Sequence, residues 1–457
     1  MNARRAGVLL PVFSLPPDDA GFSAAARAFI DWLVEAKFPV WQMLPIGPTG
    51  ADGSPYWLRS DHATHAALAD TSIDRETVSR ATLAGWCERE RHWLADYALF
   101  EALSAEHGGA PWQDWPAALR DREAAALTRA RHRHSVAIER IAREQYLADR
   151  CWTEVRAYAN SRGVALFGDL PIYVAPGSVE TWVHRGQFQL DGAGRPLALA
   201  GVPPDYFAAD GQLWGNPVYD WDAMAADGFA WWRARVRRAL ERFDLLRLDH
   251  FRGLAAYWRV PVGAATAREG EWRAAGGTAL LRRLVDDARA RLPGEPVPFV
   301  AEDLGIITPD VDALRQQFAL PGMRVLQFAF DGSPDNPYLP HRHTRDSVVY
   351  TGTHDNDTTL GWYDSLDAAA RAYVDYVLRT REGDMPGALV HAALASVADL
   401  AVVPVADLLG LGTEARINVP GTVSGNWRWR LPAGALTRAQ AARFARANQV
   451  FGRALLR

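Results

Sequence analysis

Residues 244–253 read DLLRLDHFRG, and the alternation inside this short run decides the fold. Side chains alternate between the two faces of a strand, so Arg247 and Asp249 share one face while Leu246 and Leu248 share the other. Both faces therefore need cover, the leucines from helices and the charged pair from something that tolerates ions. A buried strand that ends on an ionisable residue carries a large desolvation cost unless that residue is paired or put to use. The pattern recurs at PFVAEDLG, where Glu302 ends an apolar run, and at VVYTGTHDND, where Asp355 follows one.

Outward from these three stretches, short β-rich runs are expected at 7–14, 40–46, 164–173, 244–251, 297–303, 324–331, 347–353 and 400–405, with helical segments between them. Several are almost continuously hydrophobic, as strands covered on both faces must be. At 23–36, Ala26, Phe29, Ile30 and Leu33 form one helical stripe, and Thr308-Pro309 reads as an N-cap followed by proline at the first helical position. Eight alternations predict an α/β fold of the (β/α)8 TIM-barrel type. The competing doubly wound sheet would want a Gly-rich dinucleotide loop after a strand, and none follows any of the eight.

The spacing divides the chain. Residues 1–457 read as a single catalytic barrel. Residues 50–163 read as a mostly helical inserted subdomain, with helices expected over 94–103 and 136–155. Residues 174–240 read as an aromatic, turn-rich insertion over the cleft. Barrel insertions hang from the loops at the C-terminal strand ends, the face that carries active sites, so both belong beside the three acids. The run RARHRH at 129–134 reads as a solvated helix face, because His132 and His134 lack a matching ligand cluster.

Composition narrows the classes. With 49% hydrophobic and 23% charged residues, the chain can bury a large core, and a formal charge of −4 points to neither nucleic acid nor an anionic membrane. No apolar stretch reaches the roughly 20 residues of a spanning helix, and the opening MNARRAGVLLPVF, interrupted by Pro11, reads as a first strand rather than a signal peptide. Cys87 and Cys151 lack metal-type spacing and fit a reducing compartment, which makes the cytoplasm the default. Eighteen tryptophans fit either a large aromatic core or flat surfaces for stacking on sugar rings.

Carboxylates gathered at strand ends suit glycosidic bond chemistry. A guanidinium beside a carboxylate lowers its pKa by about 1–3, so Arg247 would keep Asp249 ionised as a nucleophile. Glu302 ends the next strand, and neighbouring strands lie about 4.7–4.9 Å apart, which favours the short, retaining separation of two acids over the wide, inverting one. Glu302 would be the general acid/base, its pKa raised by the like charge of Asp249. Asp303 has the opposite parity and reads as a loop or cap ligand. Asp355 would grip ring hydroxyls, with His354 donating to the same ring. The plainer readings are an Arg–Asp pair that fixes register and a polar HDND turn that satisfies its own backbone.

At these residues the chain resembles the 4-α-glucanotransferases, the amylomaltase or disproportionating-enzyme family within the wider α-amylase-like barrels. The resemblance is carried by WQMLPIGPTG with SPY nearby, GDLPIYVA, AGVPPDYFAADGQLWGNP, LRLDHFRG, FVAEDLG, VLQFAFDG with DNPYLP, VVYTGTHDNDTT and RINVPGTVSGNWRWRL. It implies retaining transfer of α-1,4-glucan segments between maltooligosaccharides, with Asp249 as nucleophile, Glu302 as acid/base, Asp355 as transition-state stabiliser, and Arg247 and His354 as partners. It implies a loop at 203–217 over the cleft, with Trp214 and Asn216 contacting substrate and Tyr56, Asp169 and Asp331 as lesser contacts. No metal or organic cofactor is implied, and the expected partner is an α-glucan, with no nucleic acid and no membrane. The chain departs from the family pattern in rim loops: PPDDAGFS after the first strand, WLRSDHATHAAL after SPY, Pro176-Gly177-Ser178, and Arg273 to Gly277.

Two other readings stand beside transfer: an α-glucan hydrolase, in which water resolves the same intermediate, and a catalytically silent glucan-binding barrel. The sequence leaves oligomeric state, smallest donor, transferred length and cyclic products open.

Overall fold

The computed structural model describes residues 4–18, 21–70, 78–204, 210–381, 383–422 and 424–455. Eight strands form one parallel sheet: β1 (Arg5–Leu9), β2 (Val40–Gln42), β3 (Ala165–Leu170), β4 (Leu245–Leu248), β5 (Phe299–Ala301), β6 (Gly322–Val325), β7 (Ser347–Tyr350) and β8 (Leu400–Pro404). Their order is β6-β7-β8-β1-β2-β3-β4-β5, and the backbone N–H of Ala301 donates to Pro321 O at 2.8 Å, joining the two ends of the sheet. This is the expected (β/α)8 barrel, each strand falling within or against its predicted run. The largest shift is at β6, which starts at Gly322, before the apolar run at 324, and gives way to a 3-10 turn at Leu326–Phe328. The expected helices run Phe22–Glu35 and Pro309–Gln317. Pro309 opens the latter, but the Thr308 side chain does not cap it.

Alternation builds two hydrophobic layers. Leu9, Val40, Phe167, Val300, Met323, Val348 and Leu400 meet inside the barrel. Ala6, Val8, Leu166, Leu246, Leu248 and Val349 pack outward against the helices. Full burial of one such large side chain is worth about 1.5–3 kcal/mol, so a register slip by one residue would forfeit most of either layer. The parity that sends Leu246 and Leu248 outward aims Arg247 and Asp249 at the barrel axis.

The segment after β2 is largely helical, with Arg80–Arg89, Arg91–Glu106, Ala124–Arg133 and Ser135–Ser161. It has its own core, including Trp86, Trp93, Phe100 and Trp115, which Trp182 from beyond β3 completes. Ten of the eighteen tryptophans are buried, so core packing accounts for most of the aromatic content. The sequence between β3 and β4 reads as turn-rich, yet it contributes two strands to an antiparallel sheet, Ala198–Val202 and Gln212–Pro217. Ala256–Pro261 and Glu271–Ala274, from the segment after β4, supply the rest. Residues 205–209 of the expected 203–217 loop lie outside the described residues.

Candidate active site

The last paired residues of β4 and β5 are Leu248 and Ala301, so Asp249 and Glu302 leave neighbouring strands at the same level. Arg247, one turn of the pleat below, spans both acids. Its Nη1 lies 2.8 Å from Asp249 Oδ1 and its Nη2 lies 3.9 Å from Glu302 Oε2. Asp169 sits opposite Arg247 in the β3–β4 register and takes a further contact from Nη1 at 2.7 Å. The Tyr56 hydroxyl donates to Asp169 at 2.7 Å and lies 2.9 Å from His354 Nε2. His354 in turn is 3.3 Å from Asp355 Oδ1. One chain of polar contacts thus joins the ends of β3, β4, β5 and β7 around a single pit.

The acids differ in environment. Glu302 is 9% exposed, and both oxygens accept backbone N–H groups, from His250 at 2.7 Å and Leu304 at 2.9 Å. The first bond depends on His250 adopting a left-handed turn, φ 45°, which tips its N–H toward Glu302. Burial pushes the Glu302 pKa up to about 8; the charge of Asp249 adds to the rise, while Arg247 and the two N–H groups oppose it. The sequence suggested like-charge repulsion as the cause, but desolvation is the larger. Asp249 is more open, its side chain 21% exposed. Asp355 is the most open at 43%, and Asn418 Nδ2 donates to its Oδ1 at 2.6 Å. Burial also raises the Asp169 pKa, against the pull of Arg247.

The remaining expected residues divide. Trp214 meets the His250 ring edge-on at 4.8 Å, placing an indole on the Glu302 side of the pit. Asn216 is buried and spends its amide on Val174 O at 2.9 Å, which makes it a brace for the strand. Asp331 is exposed and accepts from Ser333 N at 2.9 Å; among the described residues no hydrogen bond or ion pair joins it to the acids. Asp303 points away as its parity requires, taking Met323 N at 2.6 Å and lying 3.4 Å from Arg315. The HDND turn does satisfy its own backbone, but through Asn356, whose Oδ1 accepts from Thr353 N, and this leaves the Asp355 carboxylate free for other partners.

Four contributors escaped the sequence reading. Asn418 and Arg416, which donates to Asp355 O at 3.0 Å, lie in a motif noted only for its family resemblance. Their link to Asp355 spans some sixty residues and leaves no local signal. The N–H groups of His250 and Leu304 belong to the backbone and are invisible in side-chain patterns.

A barrel whose axis carries one ion-paired acid, one acid held protonated near neutrality and a third acid opposite belongs to the class that works on glycosidic bonds. The sequence comparisons give the particular family. The 4-alpha-glucanotransferase family profile matches residues 10–79 and 69–437, and the chain belongs to that family. It is 44% identical to the 4-alpha-glucanotransferase of Thermus thermophilus, over 96% of this chain and 97% of that one. It is 41% identical to that of Synechocystis, over 94% of each. The amylomaltase of Streptococcus agalactiae, solved in complex with acarbose, superposes with a TM-score of 0.93 at 31% identity, covering 99% of this chain and 100% of that one.

Proposed function

We propose that this enzyme transfers α-1,4-glucan segments between maltooligosaccharides by double displacement, with Asp249 as nucleophile and Glu302 as acid/base. The observation that carries the reading is the single guanidinium of Arg247 lying between the two acids on adjacent strand ends. That arrangement orients the Asp249 side chain through its ion pair for attack on the anomeric carbon, while buried Glu302 holds the proton that the departing oxygen needs. After the reducing-end fragment leaves, the same carboxylate takes a proton from the incoming 4-hydroxyl, and the new bond forms with retained configuration. Asp355, fixed by Asn418 and facing His354, grips hydroxyls of the distorted ring, and Tyr56 and Asp169 line its far side.

Residues 50–163 and 174–240 are read as subdomains at the mouth of the barrel, with the aromatic one over the cleft. Trp214 on the acid side favours a sugar over water as acceptor. Both cysteines are unpaired and no helix among the described residues is long and apolar enough to cross a membrane, which supports a cytoplasmic setting. Incubation with maltotriose tests the reading: transfer yields glucose plus a ladder of longer chains. Products no longer than maltotriose would indicate a hydrolase, and no products at all a silent binder.

A further inference from the structure

One strained residue stands at the edge of the pit. Trp427 has φ +64°, a left-handed backbone that bulky side chains rarely adopt. Its N–H donates to Ile417 O at 2.8 Å, closing a loop that Asn426 stiffens by accepting from Val419 N and donating to Thr422 O. The same loop carries Asn418, which fixes Asp355. A glycine would make this turn without strain, so the turn alone does not account for an indole. The indole is half-buried rather than sealed in the core. Its ring lies 6.0 Å from Tyr56 and 6.2 Å from His354, and Phe13 braces it edge-on at 6.4 Å. Two of these three neighbours are residues of the pit itself.

Position gives the indole a side. Glu302 protonates the departing oxygen, so the acceptor lies toward Glu302, His250 and Trp214. The ring that becomes attached to Asp249 lies toward Tyr56, His354 and Asp355, and Trp427 stands just beyond them. We infer that Trp427 is the stacking platform for the second donor sugar, the glucose next outward from the one attached to Asp249, and so sets the donor length the enzyme requires. The inference rests on the transfer reading above. An indole suits the task because the C–H faces of a glucose ring lie flat on an aromatic surface while the hydroxyls stay in water.

Fluoride release from α-maltosyl fluoride and α-glucosyl fluoride isolates this contribution, since the two donors differ only by the second sugar and fluoride departs without a general acid. The readout is the ratio of kcat/KM for the two donors, which a merely structural role would leave alone because damage to the pit would lower both rates together. In W427A the ratio is expected to fall at least tenfold, and in W427F, which keeps a ring, to recover most of the wild-type value. The inference is overturned if W427A keeps the wild-type ratio, or if the wild-type ratio is one or less. A wild-type enzyme that releases fluoride from neither donor would overturn the transfer reading and this inference with it.

Discussion

In the proposed mechanism, replacing Glu302 by Gln removes the proton that the departing oxygen takes. A carboxyl with a pKa of about 8 is protonated in about nine molecules of ten at pH 7. The kcat/KM for maltotriose should therefore hold nearly level through neutrality, then drop tenfold per pH unit above about 8, because deprotonated Glu302 has no proton to give. Positioned general acids supply about 10²–10⁴ in rate, and E302Q should lose that factor together with the alkaline limb. The cause of the raised pKa is testable as well. Because burial is the larger contribution, D249N should lower the Glu302 pKa yet leave it above 4.5. Thermal stability of D249N against D249N/E302Q reads it out. The stabilisation from a protonated Glu302 is complete below its unfolded pKa of about 4.3 and is lost, at about 1.4 kcal/mol per pH unit, as pH rises from there to the folded value, above which the loss levels off. Initial rates of glucose release from pH 5 to 10 are the primary assay. A profile flat across that range, or an E302Q enzyme with more than a tenth of wild-type activity, would refute the assignment.

Asn418→Ala removes the side-chain hydrogen bond that fixes the Asp355 carboxyl group, an interaction worth about 1.5–3 kcal/mol, so kcat on maltotriose should fall about 10–100-fold; activity within twofold of wild type would show that Asp355 needs no such support. Gly168→Ala would place a methyl 2.3 Å from the Phe243 ring, behind the strand that carries Asp169. Overpacking of this kind costs about 1–3 kcal/mol, so the denaturant midpoint should drop, and an unchanged midpoint would contradict the tight packing of that face.

The barrel was legible because its strands are short apolar runs of fixed parity recurring between helical segments, and parity alone separated Glu302 from Asp303 and sent Arg247 and Asp249 inward together. The antiparallel sheet was not, since Ala198–Val202 and Gln212–Pro217 lie in a stretch whose glycines and prolines read as turns, and they gain their strand character from pairing with each other and, for Ala198–Val202, with Ala256–Pro261. The acids could be named because strand ends are local features. What holds them could not: the link from Asn418 to Asp355 and the chain from Tyr56 through His354 arise only when distant segments meet. Asn216 shows the converse, a polar residue in a matching motif whose amide is spent on the backbone of its own insertion.

The most direct test is to catch the sugar on the enzyme. In E302Q, α-maltosyl fluoride can still react, because its leaving group needs no proton, whereas the acceptor then lacks the base that would activate it, so the intermediate should accumulate. Digestion and mass spectrometry should find one maltosyl unit on the peptide containing Asp249 and none in the D249N/E302Q protein. Label on a different carboxylate, or fluoride released with inverted product and no label, would contradict the assignment of Asp249 as the nucleophile.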